Sequence, residues 1–414
     1  MIRLLFLPAY FFPEHAASSY LGDNRYERVA SEGIGMEVYC PTPTRGVAPE
    51  VRAKYKKVKE EYMYGGKLHV HRFPLYGEGK NPISRAFRYF LQTVSHTLYG
   101  VFGKDARKCN VMFITSTPPI QGAMGAIVKK LRGIPMIYNL QDIFPDSLVG
   151  TGLAEKGGLL WKIGRVIEDF TYRNADKIVV ISQDFKRNIM AKGVPEDKIE
   201  VIYNWVDEEA VKHVAREDNV LFDRYGLDRS KFYITYCGNI GLTQNMDMLL
   251  EVAKELETYS GIHFVLIGDG AYKSQVEEII ADRNICNVTL LPFQPYEDIS
   301  HVFSLGDVGL VISKPGVGEN SVPSKTWSIL SASRPVLANF DENELKSIVS
   351  MNQCGVFTDA GDKHAFKQAI IELYNDKELC CRYGQNGRDF ILKNLTREVG
   401  TKKYVDLIKT FDKV

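Results

Sequence analysis

Short apolar runs alternate along this chain with stretches whose apolar positions recur at every third or fourth residue. The first pattern reads as buried strand and the second as amphipathic helix. In the first half, strands are expected over residues 3–8, 36–40, 68–73, 111–115, 134–140, 177–182 and 199–203. Helices are expected over 20–32, 120–131, 159–173 and 183–192, and the basic stretch 54–59, followed by Glu60 and Glu61, reads as a solvated connection. The pattern then restarts. Strands over 233–237, 263–267, 288–291, 309–313, 336–339 and 356–357 are separated by helices over 246–259, 273–282, 295–305, 363–375 and 380–394. Two successive βα-repeating halves predict an α/β protein of two Rossmann-like, doubly wound domains, with the boundary near Asp207.

Residues 82–108 carry two signals at once. Phe87, Phe90, Leu91, Val94 and Leu98 recur at helical spacing, which predicts a helix turned toward the core. Arg85, Arg88, Lys104, Arg107 and Lys108 are interleaved with further aromatics, Tyr89, Tyr99 and Phe102. That mixture also suits a helix resting on an anionic bilayer, and both readings stand.

Size and charge narrow the picture. At 414 residues with 45% hydrophobic positions, the chain is long enough for two cores. No run approaches the ~18 apolar residues of a spanning helix. The apolar start is interrupted by Pro8 and Pro13 and reads as a first strand, not a signal peptide. The seven cysteines lack zinc-ligand spacing and fit buried free thiols in a reducing cytosol. Net charge is +1, but residues 1–206 hold 29 Lys+Arg against 20 Asp+Glu, and the remainder 23 against 31. A basic first half suits an anionic partner, either nucleic acid or a membrane surface.

Candidate chemistry falls at strand ends, where open α/β sheets bind ligands. After 309–313 comes a loop with Pro315, Gly316, Gly318 and the acid Glu319. Residues 321–325, Ser-Val-Pro-Ser-Lys, then open a helix expected to end near Arg334-Pro335. Free N–H groups at Ser324, the helix dipole and the charge of Lys325 favour a phosphate or diphosphate. Glycine loops follow two strands of the second half: Gly238-Asn239-Ile240-Gly241 and Gly268-Asp269-Gly270. In the first half, Glu14 precedes a run of small residues, and Asp142 stands just past a strand in Gln141-Asp142-Ile143-Phe144-Pro145-Asp146.

These motifs, with Gln244, Ala175-Asp176-Lys177-Ile178-Val179, Ile202-Tyr203-Asn204-Trp205-Val206-Asp207 and Val322-Pro323-Ser324-Lys325, resemble retaining GT-B glycosyltransferases of family 4. The similarity is to the WbuB-like group of O-antigen and capsule synthesis, and it extends over the whole chain. The resemblance implies an acceptor-binding domain over 1–206 and a nucleotide-sugar-binding domain over 207–395, facing each other across a cleft. Residues 396–414 would supply a last helix crossing back to the first domain. It implies no metal and no cofactor. The donor is a nucleotide-diphosphate sugar, UDP-linked and with an N-acetylamino sugar among the candidates. The acceptor is a polyprenyl-diphosphate-linked saccharide, reached peripherally at the cytoplasmic face of the plasma membrane, with no nucleic-acid partner.

The resemblance also assigns roles. Lys325, the Gly241 N–H and the helix start at Ser324 would stabilise the leaving diphosphate. Gly238, Asn239, Gln244, Gly268, Gly270 and Ser328 would complete the donor site. Asp142 and Glu14 would orient the acceptor or take its proton, and Glu319 would hold donor-sugar hydroxyls. The chain departs from the family where Asn239 and Gln244 replace Arg and Lys, and where Asn320 and Ser328 fall at the usual glutamates. It departs again at Glu14-His15-Ala16-Ala17-Ser18-Ser19, which lacks a glycine pair. These departures motivate one rival, a non-catalytic sugar-nucleotide-binding partner of another transferase; a second, a GT-B sugar-nucleotide epimerase, shares the fold and ligand. A dinucleotide oxidoreductase ranks last, because the loop at Gly238 lacks GxGxxG spacing.

Overall fold

The computed structural model describes residues 2–14, 19–79, 81–150, 155–318 and 322–413. The chain forms two compact units, Met1–Tyr203 with Gly400–Val414, and Asn204–Val399. Both are Rossmann-like.

The first unit holds strands β1 (Arg3–Phe6), β2 (Gly35–Pro41), β3 (Glu60–Met63), β4 (Leu68–Phe73), β5 (Val111–Thr115), β6 (Met136–Leu140), β7 (Lys177–Val180) and β8 (Ile199–Val201). They form one sheet in the order β3-β4-β2-β1-β5-β6-β7-β8. Every pairing is parallel except β3 with β4. Parallel strands buried on both faces need continuous apolar runs, and β1, β5 and β6 supply them. The strand order reverses between β1 and β5, the place where such sheets open a crevice.

Two expectations for this unit are corrected. The stretch 54–59 is a solvated connection only from Lys56 to Lys59: Lys54 and Tyr55 end a helix, Pro49–Tyr55, and Glu60 and Glu61 belong to β3. The short antiparallel strand covers the open edge of β4, and its alternating exposure makes a polar outer edge. The second correction concerns the helix Pro82–Phe102, which is inside out. Its inward row is Arg88, Gln92 and His96, all essentially inaccessible to water. Arg88 donates to the Tyr76 carbonyl at 3.1 Å, Gln92 Oε1 at 3.4 Å and Thr44 Oγ1 at 3.2 Å. Burial drives the pKa of His96 down to about 3, so its ring is neutral. The stripe expected in the core faces outward: Phe87 is 55% exposed, Phe90 61% and Leu98 54%, with Leu91 and Val94 less so. The neighbouring helices Ile120–Arg132 and Leu159–Asn174 also expose Leu131, Leu159, Ile163 and Val166.

The second unit holds β9 (Phe232–Asn239), β10 (Ile262–Asp269), β11 (Val288–Leu291), β12 (Val308–Ile312), β13 (Val336–Phe340) and β14 (Gly355–Asp359). They form an all-parallel sheet in the order β11-β10-β9-β12-β13-β14. Its order reverses between β9 and β12. Two helices here, Val220–Tyr225 and Glu344–Met351, were not expected from the sequence pattern. The last helix, Arg397–Lys409, lies mostly in the first unit, where Tyr404 donates to Asn139 Oδ1 at 2.9 Å and Arg25 lies 5.2 Å from the Tyr404 ring centroid. Cys40, Cys109, Cys354 and Cys380 are buried free thiols, whereas Cys286 and Cys381 are exposed.

Glycine is required where β9 and β10 end side by side, with Gly238 opposite Gly268. A Cβ on Gly268 would lie 1.9 Å from the Gly238 carbonyl oxygen, a contact that only backbone movement relieves. Gly268→Ala should therefore destabilise the second unit by about 1–3 kcal/mol. Gly33→Ala, with open space around its Cβ but a φ of +76°, should cost less. Chemical denaturation of both variants checks the order.

Candidate functional site

The crevice between β9 and β12 is built from three loops. The first follows β9: Gly238 has a φ of +133°, and the chain turns through Ile240 to Gln244. The second follows β10, where Ile240 N–H donates to the Asp269 carbonyl and locks the two loops together. The third follows β12. Lys314 N–H donates to the Thr243 carbonyl at 2.8 Å, and Asp341 accepts from Gly316 N–H at 2.9 Å and Gly318 N–H at 2.6 Å. The flexible-looking Pro-Gly loop is thus held at both ends.

Lys325 opens the helix Lys325–Ser331 at this crevice. Its Nζ lies 3.7 Å from the Tyr236 ring centroid, a cation–π contact. A Cβ on Gly238 would come within 3.1 Å of that Nζ, so glycine there makes room for the ammonium. Among the described residues no carboxylate pairs with it. Burial lowers its pKa to about 8. A half-buried amine, crowded by protein and with no carboxylate partner among the described residues, suits an anion.

Beside Lys325 lies a cavity of about 160 Å³, bounded by Gln244, Ser313, Val317, Gly318, Pro323 and Phe340 among others. That is below the ~300–1,000 Å³ of sites enclosing a small ligand, so it takes a part of one. Ser313 is buried, and among the described residues its hydroxyl has no hydrogen-bond partner. It is a free polar contact on the cavity wall.

Of the residues expected at this site, Lys325 and Gln244 line the cavity. Asn239 and Gly241 stand next to them, and Gly268 and Gly270 form the neighbouring wall of backbone. The Gly241 N–H, expected to meet a diphosphate, donates to Gln244 Oε1 at 3.0 Å. Ser324 is exposed and its hydroxyl makes no cap hydrogen bond. The N–H groups of Thr326 and Trp327 already bond to Pro323 and Ser324 carbonyls, which leaves the helix start a weaker anion hole than expected. Ser328 sits on this helix but does not line the cavity. Glu319 lies outside the described residues.

In the first unit, Asp142 stands just past the carboxyl end of β6, with its side chain exposed. Desolvation by the surrounding chain raises its pKa above the usual carboxylate range, against hydrogen bonds from Ser147 Oγ at 3.1 Å and Ile143 N–H. A carboxylate so placed is available as a base. Asp146 is held by Lys192 Nζ at 2.7 Å and Asn188 Nδ2 at 3.2 Å, a structural use. Glu14 is also committed. It is buried and accepts from Thr44 N–H at 2.7 Å, Arg45 N–H at 2.8 Å and Phe11 N–H at 3.2 Å. Its lone pairs tie two loops together instead of facing a ligand.

Sequence reasoning passed over Lys314, Ser313 and Asp341. Lys314 is half-buried, 5.6 Å from the Tyr272 ring centroid, at the rim of the same crevice. Its place just after the buried run of β12 was the available signal. It is a second cation near a site that lacks the family's Arg and Lys.

Comparison with known proteins agrees with this geometry. Residues 24–205 match the family described as "Glycosyl transferase 4-like domain", and residues 218–390 match "Glycosyl transferases group 1". The putative colanic acid biosynthesis glycosyl transferase WcaI of Escherichia coli is 30% identical over 208 residues, half of this chain and 51% of that protein. The probable glycosyltransferase WbjE of Pseudomonas aeruginosa is 24% identical over 374 residues, 90% of each chain. The structure of HepE from Anabaena, in complex with UDP and glucose, superposes with a TM-score of 0.72 at 14% identity, covering 99% of this chain and 100% of that one. At that identity the likeness establishes the fold, which is GT-B.

The position of Lys325 makes binding proton-linked. A nucleoside diphosphate at the cavity would raise the amine's pKa from about 8. The affinity gained is fully present below that value and is lost as pH rises through the higher pKa of the complex. UDP affinity should be level to about pH 8 and then fall. Calorimetry near pH 8 in two buffers of different ionisation enthalpy should show proton uptake, absent in Lys325→Met. Lys325→Met should keep or gain thermal stability at neutral pH, because the buried charge is gone. An affinity unchanged between neutral pH and about pH 9.5 would rule the assignment out.

Proposed function

We propose, from the premise that this chain joins a glycosyl transferase 4-like domain to a glycosyl transferases group 1 domain, that it transfers a sugar from a nucleotide-diphosphate donor to a lipid-linked saccharide during polysaccharide synthesis. The observation that carries the reading is Lys325: a desolvated, unpaired ammonium beside a cavity at the switch point of the second sheet. The bond to be broken joins the sugar's anomeric carbon to a phosphate oxygen, and negative charge grows on the diphosphate as it leaves. A fixed cation in a low-dielectric site stabilises that charge without reorganising. Lys314 and the Ser313 hydroxyl complete the set of donors at hand. UDP is the proposed nucleoside carrier, supported by the GT-B structure of HepE described with UDP and glucose. Retention at the anomeric carbon and independence from metal in the transfer step are parts of the same proposal.

Asp142 is the proposed base for the acceptor hydroxyl. Its raised pKa makes it a stronger acceptor of that proton than an ordinary carboxylate. Asp142→Asn keeps the Ser147 contact and should lower turnover by about 10²–10⁴-fold. Nucleotide affinity should hold, and turnover within twofold of wild type would remove the residue from this role.

The acceptor's lipid is met through the first unit. Among the described residues no helix is long and apolar enough to cross a membrane. The outward stripe of the helix Pro82–Phe102, with the exposed apolar residues of Ile120–Arg132 beside it and of Leu159–Asn174 beyond that, is the proposed contact with an anionic bilayer. Lys104, Arg107, Lys130 and Lys162 are exposed on the same helices or the turn that follows, and the first half as a whole is basic. Arg85 pairs with Glu78, Lys108 with Asp105, and Arg88 is buried, so apolar insertion contributes more than these three charges. Liposome co-sedimentation tests this: a variant with Phe87, Phe90, Leu98 and Phe102 changed to Ser should lose binding to anionic vesicles. Changing Lys104, Arg107, Lys130 and Lys162 to Glu should weaken it most at low salt, at about 1 kcal/mol per charge. Wild-type protein that ignores anionic vesicles at low salt would end the membrane reading.

The neutral Asn239 and Gln244, with Gln244 already on the Gly241 N–H, favour one rival, a non-catalytic nucleotide-sugar binder. A panel of UDP-, GDP- and dTDP-sugars, read by thermal shift and by turnover with a lipid-linked acceptor, separates the two. A catalytic chain turns over a donor that stabilises it, and a binder is stabilised without turnover.

A further inference from the structure

In the first unit, around the start of β2 and the middle of β4, four ligand-type side chains converge. This is the opposite end of the sheet from Asp142 and Glu14. The strand register sets Glu37 of β2 beside His69 of β4, and His71, two residues further on, points to the same face. Asp105 joins them from the turn after the helix Pro82–Phe102. One ligand atom from each of Glu37, His69, His71 and Asp105 lies within 4.8 Å of all the others. The nearest pairs are Glu37 Oε1 to His71 Nε2 at 3.0 Å, Glu37 Oε2 to His69 Nδ1 at 3.1 Å, and His71 Nε2 to Asp105 Oδ2 at 3.5 Å. Bonds of ~2.0–2.2 Å to a tetrahedral ion separate ligands by about 3.3–3.6 Å, so small side-chain shifts would seat one.

We propose that this cluster binds a divalent transition-metal ion of the zinc class through two imidazoles and two carboxylates. Hydrogen bonding alone leaves the cluster incomplete. His71 Nε2 lies close to two carboxylates yet makes no hydrogen bond of acceptable geometry. His69 is more than nine-tenths buried, and its Nε2, 3.9 Å from Glu60 Oε2, makes no hydrogen bond either. Glu37 is fully buried at the centre. A second layer is already built around them. Glu60 Oε1 lies 3.4 Å from His71 Nδ1, Tyr99 donates its hydroxyl to Glu37 Oε1 at 2.6 Å, and Arg3 Nη2 donates to Glu37 Oε2 at 3.5 Å. Carboxylates and hydroxyls in these positions orient metal ligands. Imidazole and carboxylate together suit zinc and its neighbours better than calcium or magnesium. The ion takes no part in sugar transfer. It joins β2 and β4 to the turn that ends the inside-out helix, and so fixes the base of the proposed membrane face.

The test uses the full-length, untagged chain, stripped with chelator and dialysed. Calorimetry with Zn²⁺ should give one site per chain, and Co²⁺ should give visible d–d bands of a four- or five-coordinate site. The melting temperature should rise at saturating Zn²⁺. His71→Gln and Asp105→Asn should each weaken binding beyond the ~10–100-fold expected of an outer-layer change, and Glu60→Gln should fall within that range. Asp105 stands on a partly exposed turn, so Asp105→Asn keeps the test open where His71→Gln fails to fold. No stoichiometric binding by the wild-type chain, or equal affinity in wild type and Asp105→Asn, overturns the site and leaves a metal-free network of imidazoles and carboxylates.

Discussion

A positive charge kept out of water governs the architecture of the second unit. Lys325 reaches the Tyr236 ring because Gly238 leaves space for its ammonium, and the turn at Gly238 is possible because Gly268 beside it also lacks a side chain. The cation–π contact is worth up to about 2 kcal/mol when desolvated, less than the several kcal/mol lost by removing an ammonium from water. The free chain therefore holds part of that cost unrelieved. An anion entering the cavity would relieve it, and the more so the greater its charge. Asp341, the Lys314 N–H and the paired loops after β9 and β10 hold the surrounding backbone so that the charge has nowhere else to go.

The neutral residues in this crevice have a physical use as well. Gln244 covers the Gly241 N–H in the absence of ligand. Exchanging one acceptor for another on the same donor is close to neutral in free energy, and a charged acceptor is the stronger one. Gln244 therefore keeps this backbone donor satisfied, and a ligand acceptor would have to displace it. Specificity in such a site comes from which groups a ligand can displace, not from charge alone.

Strands and sheet class were legible in the sequence because parallel strands, buried on both faces, must be written as apolar runs. The segment Val308–Ile312 is one such run and is wholly buried. Lys325 was legible because its loop combines glycines and proline with a cation at the helix start. What the chain hides is direction. Periodicity in Pro82–Phe102 specifies an apolar stripe but not the side it faces, and only the burial of Arg88, Gln92 and His96 decides it. Glu14 was misleading for a related reason. An acid in a loop after a strand looks free until the backbone N–H groups of Thr44 and Arg45, thirty residues on, claim it. Ser313 and Asp341 gave no signal, because a serine at a strand end and an aspartate after one are common.

The inside-out helix separates two jobs that most amphipathic helices combine. Its fixation depends on polar contacts from Arg88, Gln92 and His96, and its outward side chains contribute little to the core. Substitutions at sites with no shared partners act almost additively. The outer face can thus drift or be redesigned without retuning the fold beneath it. Relatives with the same scaffold could exchange one partner surface for another by rewriting that single row, with no compensating change inside.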